Sequence, residues 1–115
     1  MRRRAAAYVP ERGDLVWLNF SPQAGHEQAG RRPALVLSLR PYNRVTGLAI
    51  ACPVTSRSKG YPFEVAVKSV GIEGVVLCDQ LKSIDWRERR AQFADRATSE
   101  TIAEVIARLR PLLGL

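Results

Sequence analysis

The chain predicts a mainly β domain, α+β by strict count, in which about six short strands form a small, mostly antiparallel barrel or curled sheet covered by one C-terminal helix. Two observations predict this. Short apolar runs, several with a period of two, recur between Gly- and Pro-containing connections over residues 14–94. The period then switches to i, i+3, i+4, i+7 at the end of the chain, the mark of a helix with one apolar stripe.

The elements follow in order. In Asp14–Phe20, Leu15, Trp17 and Asn19 alternate with Val16, Leu18 and Phe20, so both faces are largely apolar and the strand is expected to be buried on both sides. A loop over Ser21–Arg32 leads to a second strand, Pro33–Leu39. The segment Arg40–Gly47 reads as a turn-rich connection to a third strand, Leu48–Val54, where Pro53 suggests an edge position or a bulge. Thr55–Pro62, "TSRSKGYP", is polar, carries two cations and is expected to be a mobile loop.

In Phe63–Lys68, Phe63, Val65 and Val67 face one way and Glu64 and Lys68 the other; Gly71 and Gly74 mark a turn. Val75–Cys78 and Gln80–Ile84 supply further strand, and Arg90–Ala94 a last short one. The helix carries Ile102, Val105, Ile106, Leu109, Leu112 and Leu113 on its stripe, with Thr98 or Ser99 as cap, Glu100 in the first turn and Pro111 expected to loosen the last. Residues 1–7, "MRRRAAA", read as a basic tail, because no apolar core of a leader follows them, and residues 8–115 read as one domain. No apolar run approaches the ~20 residues needed to cross a bilayer, so no membrane association is expected.

Charge narrows the function. Eighteen Lys+Arg against eleven Asp+Glu in 115 residues leave a net charge of +7, a field that attracts polyanions and makes nucleic acid the first partner to consider. Cys52 and Cys78 lie in apolar stretches and match no metal-ligand spacing, and a single histidine cannot complete a Cys/His zinc site. Buried free thiols in a reducing cytoplasm are expected, with no metal and no cofactor. No P-loop, HExxH, dinucleotide fingerprint or Ser/His/Asp order is present.

Three stretches hold residues suited to chemistry. In "HEQAGRRP", Pro33 restricts the residue before it, so Arg32 is held more rigidly than an ordinary loop arginine. Its planar fork suits phosphate oxygens, but would equally serve a carboxylate or water. Glu27 and His26 are the acid–base candidates of this stretch. At "PVTS" an apolar strand ends in the hydroxyls of Thr55 and Ser56, which can bind a phosphate oxygen or cap a turn. In "DQLKSIDW", Gln80 and Lys82 could present an amide and a cation on one face, with Trp86 stacking or packing; a soluble edge strand has the same composition.

Together, "GDLVWLNFSP", "HEQAGRRPALVLS", "YNRVTG", "PVTSRSKGYPFEV" and "DQLKSIDW" resemble the MazF-type toxins of bacterial toxin–antitoxin pairs, from about Tyr8 to the C-terminus. The blocks E-Q-A-G-x-R-P and D-Q-x-K-S-I-x-W carry most of the resemblance. It implies an SH3-like barrel with a C-terminal helix, working as a homodimer in the cytoplasm. The implied activity is a sequence-specific, metal-independent endoribonuclease that cuts single-stranded RNA and leaves 2′,3′-cyclic phosphate and 5′-hydroxyl ends. It also implies an acidic, partly disordered antitoxin that competes with RNA for the basic groove.

By this resemblance Arg32 matches the catalytic arginine and Thr55 the hydroxyl that holds the scissile phosphate, with Glu27 as the proposed base. Gln28, Ser56, Lys59, Lys82 and Ser83 would bind or orient RNA, and Gln80 would read a base edge. His26 inherits no role. Two rivals share the small barrel. A non-catalytic toxin resembling CcdB, acting on DNA gyrase, would have no need of Arg32 and Thr55 at these places. A plain single-strand-binding barrel would use an exposed aromatic ladder in which this chain is poor.

Overall fold

The computed structural model describes residues 7–20 and 30–115. The expected basic tail, apart from Ala7, therefore lies outside the described residues, as do His26, Glu27 and Gln28. Among the described residues there are seven strands and two helices: β1 (Asp14–Phe20), β2 (Gly30–Val36), α1 (Arg40–Thr46), β3 (Leu48–Thr55), β4 (Glu64–Ser69), β5 (Ile72–Leu77), β6 (Lys82–Asp85), β7 (Gln92–Arg96) and α2 (Ser99–Leu113). A short 3-10 turn, Cys78–Gln80, joins β5 to the segment before β6. The strands form one antiparallel sheet in the order β4-β5-β3-β2-β1-β7, with β6 also paired to β3.

This is the expected mainly β, curled antiparallel architecture with a C-terminal helix. The two-sided apolar pattern of the early strands explains the curl. Leu15, Leu35, Leu37, Cys52 and Val54 pack on one face with Val65, Val67, Ile72, Val76, Val105 and Leu109. Val16, Leu18, Ala34, Val36, Ala49 and Ala51 pack on the other with Ile84 and Trp86. Each strand of the β1–β2–β3 unit thus feeds two apolar clusters, and the sheet must wrap to cover both. Both thiols are free and buried. Burial pushes Cys52 up to about 12 and Cys78 up to about 11, so each stays neutral and unreactive at pH 7.

Several elements differ from the sequence reading. Arg40–Gly47 is not an irregular connection but a helix: Pro41 stands in its first turn and Gly47 closes it in the left-handed region at φ 74°. Its organising residue is Asn43, fully buried. Asn43 Nδ2 donates to Pro10 O (2.8 Å) and Ser38 O (3.2 Å), and Oδ1 accepts from the Ser38 hydroxyl (2.6 Å). The Asn43 carbonyl accepts from Trp86 Nε1 at 2.9 Å, so Trp86 packs in the core and is not a stacking platform. Gln80–Ile84 is not one strand, because the 3-10 turn breaks its phase.

The C-terminal helix is capped by Thr98, whose side chain accepts from the Thr101 N–H at 3.1 Å. It runs through Pro111 without loosening there, since a proline this close to the end removes only one hydrogen bond before Gly114 stops the helix. Val105 and Leu109 are buried, whereas Leu112 and Leu113 are exposed, so the apolar stripe is covered only along its first three turns. No helix among the described residues is long and apolar enough to cross a membrane.

A second pin sits at the start of β1. Asp14 is buried and accepts from the Tyr8 hydroxyl (2.6 Å), the Glu11 N–H (3.0 Å) and Arg96 Nη1 (2.8 Å). Burial, with the neighbouring Asp14 carboxylate, pushes the Tyr8 phenol well above its usual range. Asn43→Ala tests the first pin. It strands Pro10 O, Ser38 O and the Ser38 hydroxyl, and should cost about 2 to 3 kcal/mol, seen as a lower urea midpoint with unchanged slope.

Candidate active site

Two prolines open the site. The Leu37 N–H donates to Ile50 O at 2.8 Å, so the backbone groups of Leu37, Leu35 and Pro33 face β3. Pro33 has no N–H to give, and the β2–β3 ladder stops at Ala34↔Pro53. Pro53 faces the other way, where β3 changes partner from β6, ending at Ala51↔Lys82, to β5, starting at Val54↔Val76. Pro53 is therefore neither on an edge nor at a bulge; it occupies the one stretch of an internal strand where no ladder donor is required.

Beyond this point β2 and β3 diverge around a cleft of about 610 Å³. Arg31, Arg32 and Pro33 line it from β2; Val54, Thr55, Ser56 and Arg57 from β3 and the loop after it; Ile72 and Glu73 from β5. Arg32 and Thr55, each two residues beyond the last rung Ala34↔Pro53, line the cleft from its β2 and β3 walls. Arg32 is in phase with Ala34 and Val36, and Thr55 with Ala49 and Ala51, so both belong to the same face of the sheet. Thr55 Oγ1 accepts from the Arg57 N–H at 3.2 Å, which orients the side chain and leaves its hydroxyl proton to donate elsewhere. Among the described residues Arg32 has no ion-pair partner, and it is exposed to the cleft.

Arg31 does the opposite of its neighbour. Its guanidinium donates to Asn19 Oδ1, to Trp17 O (3.1 Å), to Arg90 O (3.2 Å) and to Gln92 Oε1 (3.2 Å). Two adjacent arginines thus leave opposite faces of β2; both border the cleft, but the Arg31 guanidinium is tied to the scaffold and that of Arg32 has no ion-pair partner among the described residues.

A second cleft, about 320 Å³, shares Thr55 and Arg57 with the first and adds Lys59, Tyr61, Glu64, Asp79 and Gln80. Lys59 and Gln80, far apart in sequence, therefore border one space beside Thr55. Lys82 pairs with Ala51 and is in phase with Ile84, on the same face as Arg32 and Thr55; Ser83, opposite Ile50, is on the other face. Neither borders the two clefts. Gln80 and Lys82 do not share a strand face, because Gln80 belongs to the 3-10 turn.

The loop after Thr55 is organised, not free. The Glu64 carboxylate accepts from the Ser58 hydroxyl (2.8 Å), the Lys59 N–H (3.0 Å) and the Gly60 N–H (3.1 Å). These bonds, the Lys59 N–H foremost, hold the Glu64 carboxyl below its ordinary range. Among the described residues no group of three His, Cys, Asp or Glu side chains is gathered to hold a metal ion.

Sequence reasoning missed four site residues: Arg31, Arg57, Glu73 and Gly74. The strand interior places Gly74 against the backbone of Thr55, where a Cβ would stand 2.1 Å from Thr55 O. A glycine inside a strand signals just such a close backbone approach, and this was the available clue. The other three are ordinary charged residues, Arg31 and Glu73 placed by strand register and Arg57 by the loop after β3.

Two expectations follow from this geometry. Gly74→Ala forces β5 away from Thr55 and should destabilise by about 1 to 3 kcal/mol, with faster amide exchange at Thr55 and Ser56. For Glu64, a depressed native pKa means loop order that is present above the ordinary carboxylate range and lost as pH falls through the native value. Amide protection at Lys59 and Gly60 should therefore be constant near neutrality and decline in acid, and Glu64→Gln should abolish that dependence.

Known proteins agree with this frame. The model of the PemK-like, MazF-like toxins of type II toxin–antitoxin systems matches residues 11–113. The endoribonuclease toxin MazF of Escherichia coli K12 is 47% identical over 107 residues, covering 93% of this chain and 96% of its own length. The endoribonuclease PemK of Escherichia coli is 40% identical over 110 residues, covering 90% of this chain and 81% of its own. The MazE–MazF crystal structure (Form II) from Deinococcus radiodurans superimposes with a TM-score of 0.90 at 61% identity, covering 95% of this chain and 99% of that one. A curled sheet parted at Pro33 and Pro53, a C-terminal helix and a match over nearly the whole chain have one conclusion: the protein belongs to the PemK-like, MazF-like toxin family of type II toxin–antitoxin systems.

Proposed function

We propose that this endoribonuclease toxin cuts single-stranded RNA in the cleft between β2 and β3, by attack of the RNA's own 2′-hydroxyl on the adjacent phosphorus. The observation that carries the proposal is the shared face of Arg32 and Thr55 where the two strands part. The Thr55 hydroxyl donates to a non-bridging oxygen of the scissile phosphate. Arg32 meets the additional negative charge of the phosphorane with its planar fork of donors, stabilisation that is greatest in the transition state. The P–O5′ bond breaks as the P–O2′ bond forms, leaving a 2′,3′-cyclic phosphate and a 5′-hydroxyl. One proton leaves the 2′-oxygen and one reaches the 5′-oxygen. Glu27 is assigned the first transfer.

Ser56, Lys59 and Lys82, with Gln28 and Ser83, bind or orient the RNA strand, and Gln80 reads a base edge in the smaller cleft beside Thr55. The chain acts as a homodimer in the cytoplasm, where the cleavage of messenger RNA stops translation and growth. Its inhibitor is a cognate acidic antitoxin, as the MazE–MazF complex of the Deinococcus relative suggests. A net charge of +7 favours both polyanions, so RNA and antitoxin compete for one surface. The gyrase-binding alternative has no support from relatives that are themselves endoribonucleases.

The test uses the full-length protein and a mixed-sequence RNA in excess EDTA, beside the same oligomer with 2′-deoxy sugars. Cleavage of the RNA alone, with cyclic phosphate ends, is expected; intact RNA, or cutting that stops in chelator, overturns the mechanism. Arg32→Ala should lower the single-turnover rate by roughly 10²–10³-fold, as loss of a transition-state donor does, with far less effect on RNA affinity.

A further inference from the structure

We infer that Arg31 is a positioning residue for the reaction, acting through Arg32; the inference rests on the cleavage chemistry proposed above. Arg31 and Arg32 are consecutive residues of β2 facing opposite sides, and the backbone of Arg32 is held from both ends. On its C-terminal side, Pro33 restricts the Arg32 backbone and ends the ladder with β3. On its N-terminal side, the Arg31 guanidinium reaches four acceptors on three different segments. These are Asn19 Oδ1 and Trp17 O of β1, Arg90 O of the turn before β7, and Gln92 Oε1 of β7.

A lysine offers no fork and could not serve acceptors so arranged. The turn it grips is itself unusual. Arg90 is the only non-glycine residue among those described with positive φ, at 53°, a conformation that costs a branched backbone energy unless its surroundings hold it. Arg31 Nη2 binds the carbonyl of that residue. The neighbouring Arg89 reinforces the same junction: its N-terminal turn returns a backbone bond from Asn19 N–H to Arg89 O (2.8 Å), and Arg89 Nη1 donates to Asn19 O (3.2 Å). The end of β1, the start of β2 and the β6–β7 turn are thereby fastened together, with Arg31 reaching all three. The end of β2 has lost β3 as a partner but stays paired to β1 as far as Phe20↔Gly30, and Arg31 adds to that one-sided ladder its bonds to β1, the turn and β7.

Electrostatics argues against a direct role. Four acceptors hold both terminal nitrogens of the guanidinium on the scaffold, and taking a phosphate through that pair would require it to leave them. Arg31 therefore acts by placing the Arg32 fork, and displacement of a catalytic group by about 1 Å can cost about 10²-fold in rate.

The experiment is a double-mutant cycle in the full-length protein with a cleavable RNA and its uncleavable 2′-deoxy analogue. Arg31→Ala is expected to lower the single-turnover rate at saturating RNA by at least about tenfold, while its affinity for the analogue changes less than about threefold. In the Arg32→Ala background it should add little further loss, because a residue that works only by placing Arg32 has nothing left to place. Arg31→Lys should behave like the alanine variant. Gln92→Ala, which removes a single acceptor, covers the case in which Arg31→Ala does not fold, and should show a smaller loss of the same kind. Independent, multiplicative rate losses overturn the inference, as does a loss of affinity matching the loss of rate, which would make Arg31 a phosphate ligand. Wild-type protein that leaves RNA intact fails the cleavage proposal itself; wild type that cuts, with an unimpaired Arg31→Ala, overturns this inference alone.

Discussion

Everything distinctive about this fold depends on where hydrogen-bond pairing between β2 and β3 is made to stop. An antiparallel ladder between two apolar strands would otherwise run on, since each further pair removes polar backbone from water. Pro33 withholds the donor that the next rung needs, and the strands diverge there. The cost is that each strand end keeps a ladder on one side only, β2 with β1 and β3 with β5. The gain is a polar cleft in the middle of a sheet, walled by residues that are adjacent in space only because the strands were paired up to that point.

The surroundings make good what the parted strands lose. Arg31 ties the end of β2 to β1 and β7, Gly74 lets β5 press against the backbone of Thr55, and Glu64 gathers the amides of the loop that follows. Further back, buried Asn43 joins the N-terminal segment, α1 and Trp86, while buried Asp14 joins Tyr8 and Arg96. Each is a polar group with its partners fully supplied. Such groups define position better than apolar contacts do, because removing one partner leaves a desolvated atom. The exposed cations of the cleft face outward from this frame and need not contribute to its stability.

Strand positions were legible where apolar and polar residues alternate, as in β4, or where a short run is apolar on both faces, as in β1, and so was α2 with its Thr98 cap. Boundaries near prolines were harder. Pro41 starts a helix, Pro53 lies inside a paired strand and Pro111 lies inside a helix, three outcomes for one residue type decided by whether its missing N–H was required there. The end of α2 was over-read, since a sequence shows an apolar stripe but not where the covering surface stops, and Leu112 and Leu113 are left exposed.

The amino-acid sequence by itself determined the fold class, the two-sided burial of the early strands, the free buried thiols and, through its two motif blocks, the family. These follow from local pattern and residue type, which survive without coordinates. Only the tertiary structure decided that the Arg31 guanidinium is tied to β1 and β7, that Trp86 serves the core, and that Gly74 is a close-packing residue. These depend on strand register, and a shift of one residue would exchange the faces of β2 that Arg31 and Arg32 leave.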